Sequence, residues 1–153
     1  LGHPTKPCTC PPSSVRRYLN KVSGPVMDRI DVQVQLPPPT FEELSPGPRG
    51  EPSNEARVRV LRAREVQARR WRQCRTPTNA RVPAALLTEQ VGLRGRARVL
   101  LRRAVSELGM SARSYHKVLR IARTIADLDG EERLGDVHVA EAVQYRSMDR
   151  GTP

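Results

Sequence analysis

The stretch SARSYHKVLRIARTIADLDG, from Ser111 to Gly130, has the periodicity of an amphipathic helix. Its apolar residues recur three or four positions apart, which places them on one face of a helix. Ser111 is a favourable residue at a helix start, and Gly130 is a favourable residue just past a helix end. We therefore predict a helix between them, with a buried face that consists of Tyr115, Val118, Leu119, Ala122, Ile125 and Leu128.

The segments on either side of this helix show the same periodicity. We predict one helix from Ser53 or Asn54 to about Gln73, a short one from Pro83 to Glu89, one from about Leu93 to Gly109, and one that begins at Asp136. The five helices predict a mainly α fold, a small bundle around one apolar core. Three of these four helices supply the residues expected in that core: Val60, Ala63, Gln67, Trp71, Leu93, Ala97, Leu100, Leu101, Ala104, Leu108, Val139, Ala142 and Val143.

The first 52 residues follow a different pattern. Residues 1–12 are Pro-rich and predict a loop, and a short helix is expected from Ser13 or Ser14 to Val22. Apolar residues then alternate from Ile30 to Leu36, which is typical of a strand, and a single strand needs a sheet to pair with. We therefore assign residues 1–36 to the end of an α/β core, the Pro-rich residues 37–52 to a linker, and residues 53–150 to a helical domain.

The chain is strongly basic, with a net charge of +11 over 153 residues. This charge favours nucleic acid, an anionic membrane or a phosphate-rich ligand as a partner.

No apolar run approaches the roughly 18 residues that span a bilayer, and no stretch resembles a signal peptide, so we expect a cytoplasmic protein without a membrane partner. The first residue is Leu rather than Met, which favours a piece of a longer protein.

Three motifs, in this order, resemble one known family: SGPVMDRID at 23–31, the stretch from Ser111 to Gly130, and VHVAEAVQYRSMDR at 137–150. They are similar to the C-terminal part of magnesium-chelatase-like AAA+ ATPases, in particular the ComM/YifB competence-protein family. The resemblance implies an α-helical lid over residues 53–150 that follows the end of an AAA+ core. It also implies ATP and Mg²⁺ as ligands of the full-length protein, a homo-hexameric ring, and DNA branch migration during natural transformation.

The resemblance assigns a catalytic role to Arg29, which follows a turn in the motif SGPVMDRID. The matching arginine of related ATPases serves as an arginine finger that reaches the nucleotide of the neighbouring subunit. Such a guanidinium stabilises the charge that spreads over the γ-phosphate oxygens, and it accelerates hydrolysis on the order of 10³ to 10⁵-fold. The alternative is that Arg29 pairs with Asp28 or Asp31 and only secures the turn.

A second nucleotide-binding residue implied by the resemblance is Arg113, in the first turn of the helix that begins at Ser111. It matches the sensor 2 arginine, which contacts the γ-phosphate from the lid. The partial positive charge of a helix N-terminus adds to the attraction of the guanidinium for an anion. Arg120 and Arg123 are weaker candidates for the same task. The alternative for Arg113 is a solvated charge on a basic helix.

Cys8 and Cys10 form the third candidate site. Relatives carry a PCPCG stretch shortly before this point, so the resemblance implies half of a four-thiolate zinc site, with His3 as a possible third ligand. Thiolates favour Zn²⁺ in tetrahedral sets, and a closed structural site needs four ligands. We expect weak zinc binding at most in this chain. Three cysteines without a secretion signal also argue against a disulfide framework.

The sequence contains no G-x-x-x-x-G-K-[ST] motif and no acidic cluster at the end of an apolar strand. The phosphate cradle and the Mg²⁺ carboxylate of an ATPase are therefore missing. We expect the chain alone to be monomeric, inactive as an ATPase and without a bound cofactor. A second hypothesis is a non-enzymatic basic helical module that binds nucleic acid or a protein partner.

Overall fold

The structure, a computed structural model, describes residues 7–34, 36–44 and 50–146. These residues form helices and connecting segments without a β-strand, so the predicted mainly α class is confirmed. No helix in these ranges combines the length and the apolar character that crossing a bilayer requires. The helices are α1 (Pro12–Leu19), α2 (Gly24–Met27), α3 (Phe41–Leu44), α4 (Ser53–Arg70), α5 (Ala84–Val91), α6 (Gly95–Leu108), α7 (Ala112–Leu128) and α8 (Asp136–Gln144).

Helices α4 to α8 form a bundle with α7 at its centre. Helix α7 packs against α4, α5 and α8, and α6 packs against α8. Because the chain has only one Trp and one Phe, most of the core volume comes from Leu, Val, Ile and Ala. The core residues are Trp71, Val82, Leu87, Val91, Ala97, Leu101, Val118, Leu119, Ala122, Ile125, Val139 and Ala142.

Helix α7 starts and ends where the sequence indicates. The Ser111 hydroxyl oxygen accepts a hydrogen bond from the backbone N–H of Ser114 at 3.1 Å, which satisfies one of the free donors of the first turn. At the other end, Gly130 has a φ of 76°, and the N–H of Glu131 donates to the carbonyl of Ala126 at 2.8 Å. A residue with a side chain rarely adopts this φ, so glycine favours the stop.

A buried carboxylate joins α4, α7 and the loop before α5. The side chain of Asp127 has no exposed surface, and it accepts hydrogen bonds from Arg70, Asn79 and Arg123. The side-chain oxygen of Asn79 in turn accepts a hydrogen bond from the indole N–H of Trp71 at 2.8 Å. The polar groups at the end of the core therefore satisfy one another, as buried polar groups must.

Five details differ from the sequence predictions. The segment from Ile30 to Leu36 forms no strand in its described residues, because no neighbouring strand is present there to share a hydrogen-bond ladder. Val60 is 48% exposed, since the first half of α4 extends beyond the bundle, and Leu128 is 43% exposed at the end of α7. Helix α1 stops at Leu19 rather than Val22, and a separate one-turn helix, α2, follows it and contains Gly24 and Pro25.

Candidate functional site

The turn that carries Arg29 lies against the start of α7. Asp28 ends the one-turn helix α2, and its backbone N–H donates to the carbonyl of Gly24 at 2.8 Å. One carboxylate oxygen of Asp28 accepts the hydroxyl of Ser114 at 2.9 Å and that of Ser111 at 3.4 Å. Two serines of the predicted sensor helix thus hold the residue that precedes the predicted finger.

Two arginines complete the surroundings of the Asp28 carboxylate. Nη1 of Arg113 lies 3.8 Å from Oδ2, and Nη2 of Arg146 lies 3.6 Å from Oδ1. The side chain of Arg113 is 58% exposed, whereas that of Arg146 is only 1% exposed. Arg146 also donates to the carbonyl of Ile30 and to the Ser114 hydroxyl, the latter at 3.2 Å. The turn is therefore attached to both α7 and the end of α8.

The side chain of Arg29 is exposed, and it makes no hydrogen bond or ion pair with any residue in the described ranges. Its two acidic neighbours have other partners. Asp28 contacts α7, and Asp31 forms an ion pair with Lys117, in which Oδ1 of Asp31 lies 2.7 Å from Nζ of Lys117. The pairing of Arg29 with Asp28 or Asp31 is thus absent, and the guanidinium is available to a ligand or a second subunit.

Arg113 occupies the first turn of α7, where the backbone N–H groups of a helix N-terminus are concentrated. Its only ion pair among the described residues is the long contact with Asp28. An exposed ion pair at this separation contributes little free energy, so the Arg113 guanidinium can leave Asp28 and bind another anion. Of the two arginines predicted from the sequence, Arg113 contacts the Asp28 carboxylate, and Arg29 is the next residue in the chain.

The two weaker candidates, Arg120 and Arg123, have structural partners. Arg120 donates to the carbonyl of Val82 at 3.1 Å. Arg123 is buried, and it donates to the Asp127 carboxylate and to the carbonyls of Glu131 and Glu132. Burial lowers the pKa of the Arg123 guanidinium, an effect that the charge of Asp127 opposes. Arg123 is therefore fully engaged in structural contacts, whereas Nε of Arg120 has no hydrogen-bond partner among the described residues.

Cys8 and Cys10 are exposed and free thiols. A hydrogen bond from the backbone of Cys10 lowers the pKa of Cys8, and the side-chain hydrogen bond with Cys8 raises the pKa of Cys10. In the ranges that the structure describes, no three His, Cys, Asp or Glu residues cluster as metal ligands, and His3 lies outside those ranges. Two thiols alone do not meet the four-ligand requirement of a structural zinc site.

Sequence reasoning missed Asp28, Ser114 and Arg146 as parts of this site. Arg146 lies within the third motif, VHVAEAVQYRSMDR, but its burial cannot be read from apolar periodicity, because arginine is usually an exposed residue. The contact between Arg146 and Ile30 joins residues that are 116 positions apart. The motifs themselves were the only available signal, since all three of them meet at this site.

Comparison with known proteins gives family matches along most of the chain. The family described as "Magnesium chelatase, subunit ChlI C-terminal" matches residues 50–146, and "Magnesium chelatase, subunit ChlI" matches residues 1–44. Competence protein ComM of Haemophilus influenzae is 38% identical over 140 residues, which is 91% of this chain and 27% of the relative. The uncharacterized protein YifB of Escherichia coli is 36% identical over 143 residues, or 92% of this chain and 27% of the relative.

An uncharacterized protein of Mycobacterium tuberculosis, Rv2897c, is 37% identical over 139 residues, 91% of this chain. The chain thus spans about a quarter of the length of the curated relatives that it matches. The first family segment contains Arg29 and Asp28, and the second contains Arg113 and Arg146. The chain belongs to the magnesium chelatase ChlI family, and its residues 50–146 are the C-terminal domain of that family.

Proposed function

We propose that this chain supplies the arginine finger and the sensor 2 arginine of an AAA+ ATPase that acts as a ring of subunits. The observation that carries the proposal is the exposed guanidinium of Arg29, which has no partner in the described residues although two carboxylates are its near neighbours in sequence. Asp28 and Asp31 pair with residues of α7 and with Arg146, so neither neutralises Arg29. An exposed guanidinium without a carboxylate partner is suited to bind an external anion.

In the proposed mechanism, Arg29 reaches the γ-phosphate of an ATP molecule bound by the neighbouring subunit. Charge accumulates on the phosphate oxygens in the transition state, and a guanidinium fixed in place stabilises that charge without reorganisation. The Mg²⁺ that accompanies ATP neutralises part of the same charge when it is bound. This chain lacks a phosphate-cradle motif, so the cradle and the Mg²⁺ ligands would come from other parts of the full-length protein.

Arg113 would read the nucleotide bound to its own subunit. It lies in the first turn of α7, more than half exposed, with only a long contact to Asp28 in the described residues. A γ-phosphate can attract both the guanidinium and the free N–H groups of this helix start. Because ADP has no γ-phosphate, the contact would distinguish ATP from ADP.

For the whole protein we propose a homo-hexameric ring that uses ATP hydrolysis to move branched DNA in the cytoplasm. Support comes from membership of the family, from the relative named competence protein ComM, and from the net charge of +11, which favours a polyanionic partner. The full-length protein would bind ATP and Mg²⁺. In the full-length protein, Cys8 and Cys10 would supply two of the four ligands of a structural zinc site.

The proposal is tested with Arg29→Ala in the full-length protein. ATP binding should remain close to that of the wild type, while hydrolysis falls at least about a hundredfold, as the loss of a finger predicts. Arg17→Ala removes a similarly exposed arginine from α1 and should leave hydrolysis unchanged. Mixed rings of Arg29→Ala and a mutant that lacks the phosphate-cradle lysine should regain activity, because each subunit supplies what the other lacks. If no mixing ratio restores ATP turnover, Arg29 does not act on the nucleotide of a neighbouring subunit, and the proposal is refuted.

A second candidate function, a basic module that binds nucleic acid, is favoured by one observation on α4. Arg57, Arg62, Arg64 and Arg69 are all exposed and make no ion pair with any described residue. If they bind DNA phosphates, replacing all four with Gln should reduce the slope of log affinity against log salt by about 0.9 for each phosphate that is no longer neutralised. An unchanged slope would eliminate α4 as the binding face, whatever the outcome of the Arg29 test.

A further inference from the structure

Arg146 is a buried arginine just past the end of α8. Its side chain is 1% exposed, which is unusual for arginine, and its backbone N–H donates to the carbonyl of Val143 at 2.9 Å. A buried guanidinium requires hydrogen-bond acceptors that replace water. The acceptors in contact with this one therefore show which part of the fold depends on it.

Two of those acceptors flank Arg29 in the chain. Arg146 donates to the carbonyl of Ile30, the residue after Arg29, and lies 3.6 Å from the carboxylate of Asp28, the residue before it. A planar guanidinium presents its N–H groups in fixed directions, so contacts on both sides define the position of the residue between them. While the Asp28 carboxylate and the Ile30 carbonyl contact Arg146, the side chain of Arg29 remains exposed.

Three further contacts secure this arrangement. Ser114 in α7 donates its hydroxyl to Asp28 at 2.9 Å and lies 3.2 Å from Nη2 of Arg146, so all three side chains meet. The backbone N–H of Gln33 donates to the carbonyl of Tyr145 at 2.9 Å, which attaches the chain beyond the turn to the same end of α8. The link crosses from the family segment 1–44 to the family segment 50–146.

We propose that Arg146 is a positioning residue for Arg29, which fixes the finger turn to the helical domain through Asp28 and Ile30. The inference rests on the finger role proposed for Arg29. In this arrangement the finger moves with the C-terminal domain, because its two neighbours are bound by a side chain of that domain. Arg146 itself touches no substrate and acts only through the position of Arg29.

The first experiment measures the turn directly and needs no enzymatic activity. Spin labels are placed at exposed positions, Val26→Cys in α2 and Arg102→Cys in α6, in a chain whose three native cysteines are replaced. Arg146→Gln should broaden the distribution of distances between the labels. Arg146→Lys, which keeps the charge with a single donor group, should broaden it less.

The matched control is Arg123→Gln. Arg123 is as deeply buried as Arg146, but its partners are Asp127 and the carbonyls of Glu131 and Glu132. Its loss should weaken the bundle without releasing the turn, so the distance distribution should stay narrow at temperatures where the variant is folded. Equal broadening in the two variants, or none with Arg146→Gln, would overturn the proposal.

The second experiment uses the full-length protein and a double-mutant cycle. Arg146→Gln should lower kcat for ATP hydrolysis about a hundredfold, since a misplacement of roughly 1 Å has that effect, while KM changes little. If Arg146 acts through Arg29, adding Arg146→Gln to Arg29→Ala should cause almost no additional loss. Additive losses would overturn the positioning role. Normal turnover by Arg29→Ala alone would instead refute the finger, and the label distances would still decide whether Arg146 holds the turn.

Discussion

Replacing Asp127 with Asn should strongly destabilise the helical bundle. The carboxylate has no exposed surface, and it accepts two hydrogen bonds from Arg70 at 2.9 and 2.7 Å. It also accepts one from Nε of Arg123 at 3.1 Å and one from the Asn79 side chain at 2.8 Å. Asn has nearly the same shape, so the substitution removes charge and acceptor capacity while leaving the packing volume almost unchanged.

The magnitude follows from what remains after the change. The new amide turns an N–H₂ group toward arginines that can only donate, and the Arg123 guanidinium, with a side chain 4% exposed, loses its carboxylate. Removing one partner of a buried ion pair destabilises a protein by about 3 to 5 kcal/mol. Since the free energy of unfolding of a domain is about 5 to 15 kcal/mol, the variant should lose a large fraction of its stability.

The assay is urea unfolding followed by circular dichroism at the helical minimum. The midpoint should shift to lower urea with an unchanged slope, which indicates a change in stability rather than in the unfolded state. Asp129→Asn is the matched control, because Asp129 lies two residues further along with its side chain 56% exposed and a 3.4 Å contact to His138. It should cost no more than about 1 kcal/mol. A loss below about 1 kcal/mol for Asp127→Asn would refute the argument that this carboxylate holds the bundle together.

Two further predictions concern the site and the N-terminal thiols. In the full-length protein, Arg113→Ala should weaken the response of lid position to ATP over ADP, measured between spin labels on lid and core, because a ligand shifts an equilibrium only through differential contacts. Arg103→Ala, an exposed arginine of α6, should preserve that response; identical behaviour of the two would contradict a sensor role. Cys8 should be alkylated faster than Cys10 near pH 8, since its pKa is lowered and more thiolate is present, and peptide mass spectrometry would reveal the reverse order if this is wrong.

The bundle helices were predictable because apolar residues recur at helical spacing along them, and α7 also carries its own start and stop signals. Helix α7 was expected between Ser111 and Gly130 and spans Ala112–Leu128, and α6 ends at Leu108, just before Gly109, where φ is 58°. These signals are local, so they do not depend on what the helix packs against. Periodicity does not show how far a neighbouring element extends, which is why Val60 was placed in the core although α4 extends past the bundle there.

The strand predicted over residues 30–36 shows where local sequence patterns fail to predict the structure. Alternation of apolar residues indicates that a segment can lie in a sheet, but the sheet is made by its neighbours. In the described residues the segment instead leaves Ile30 40% and Val34 60% exposed. A donor that would join a ladder, the N–H of Gln33, bonds to the carbonyl of Tyr145 at the end of α8.

The site was predictable only as far as its motifs extend. Arg29 and Arg113 could be named because they lie in recognisable stretches, and a role for an exposed residue can be inferred from its motif. The contact that brings those stretches together could not be inferred, because it depends on the burial of Arg146 against a turn more than a hundred residues away. Long-range polar contacts leave no periodic trace in a sequence.

The Asp28 carboxylate lies near two arginines, Arg113 and Arg146. The exposure of each arginine determines how easily it can separate from the carboxylate. Arg113 is 58% exposed at 3.8 Å, and breaking an exposed pair of this kind costs at most about 1 kcal/mol. Arg146 is 1% exposed and also bonded to Ile30 and Ser114, so its release would break several contacts of a buried charge. An anion that binds Arg113 can therefore draw it away from Asp28 while Arg146 keeps the turn in place. If Arg113 is the sensor and Arg29 the finger, as proposed, the sensor would respond to the nucleotide without displacing the finger.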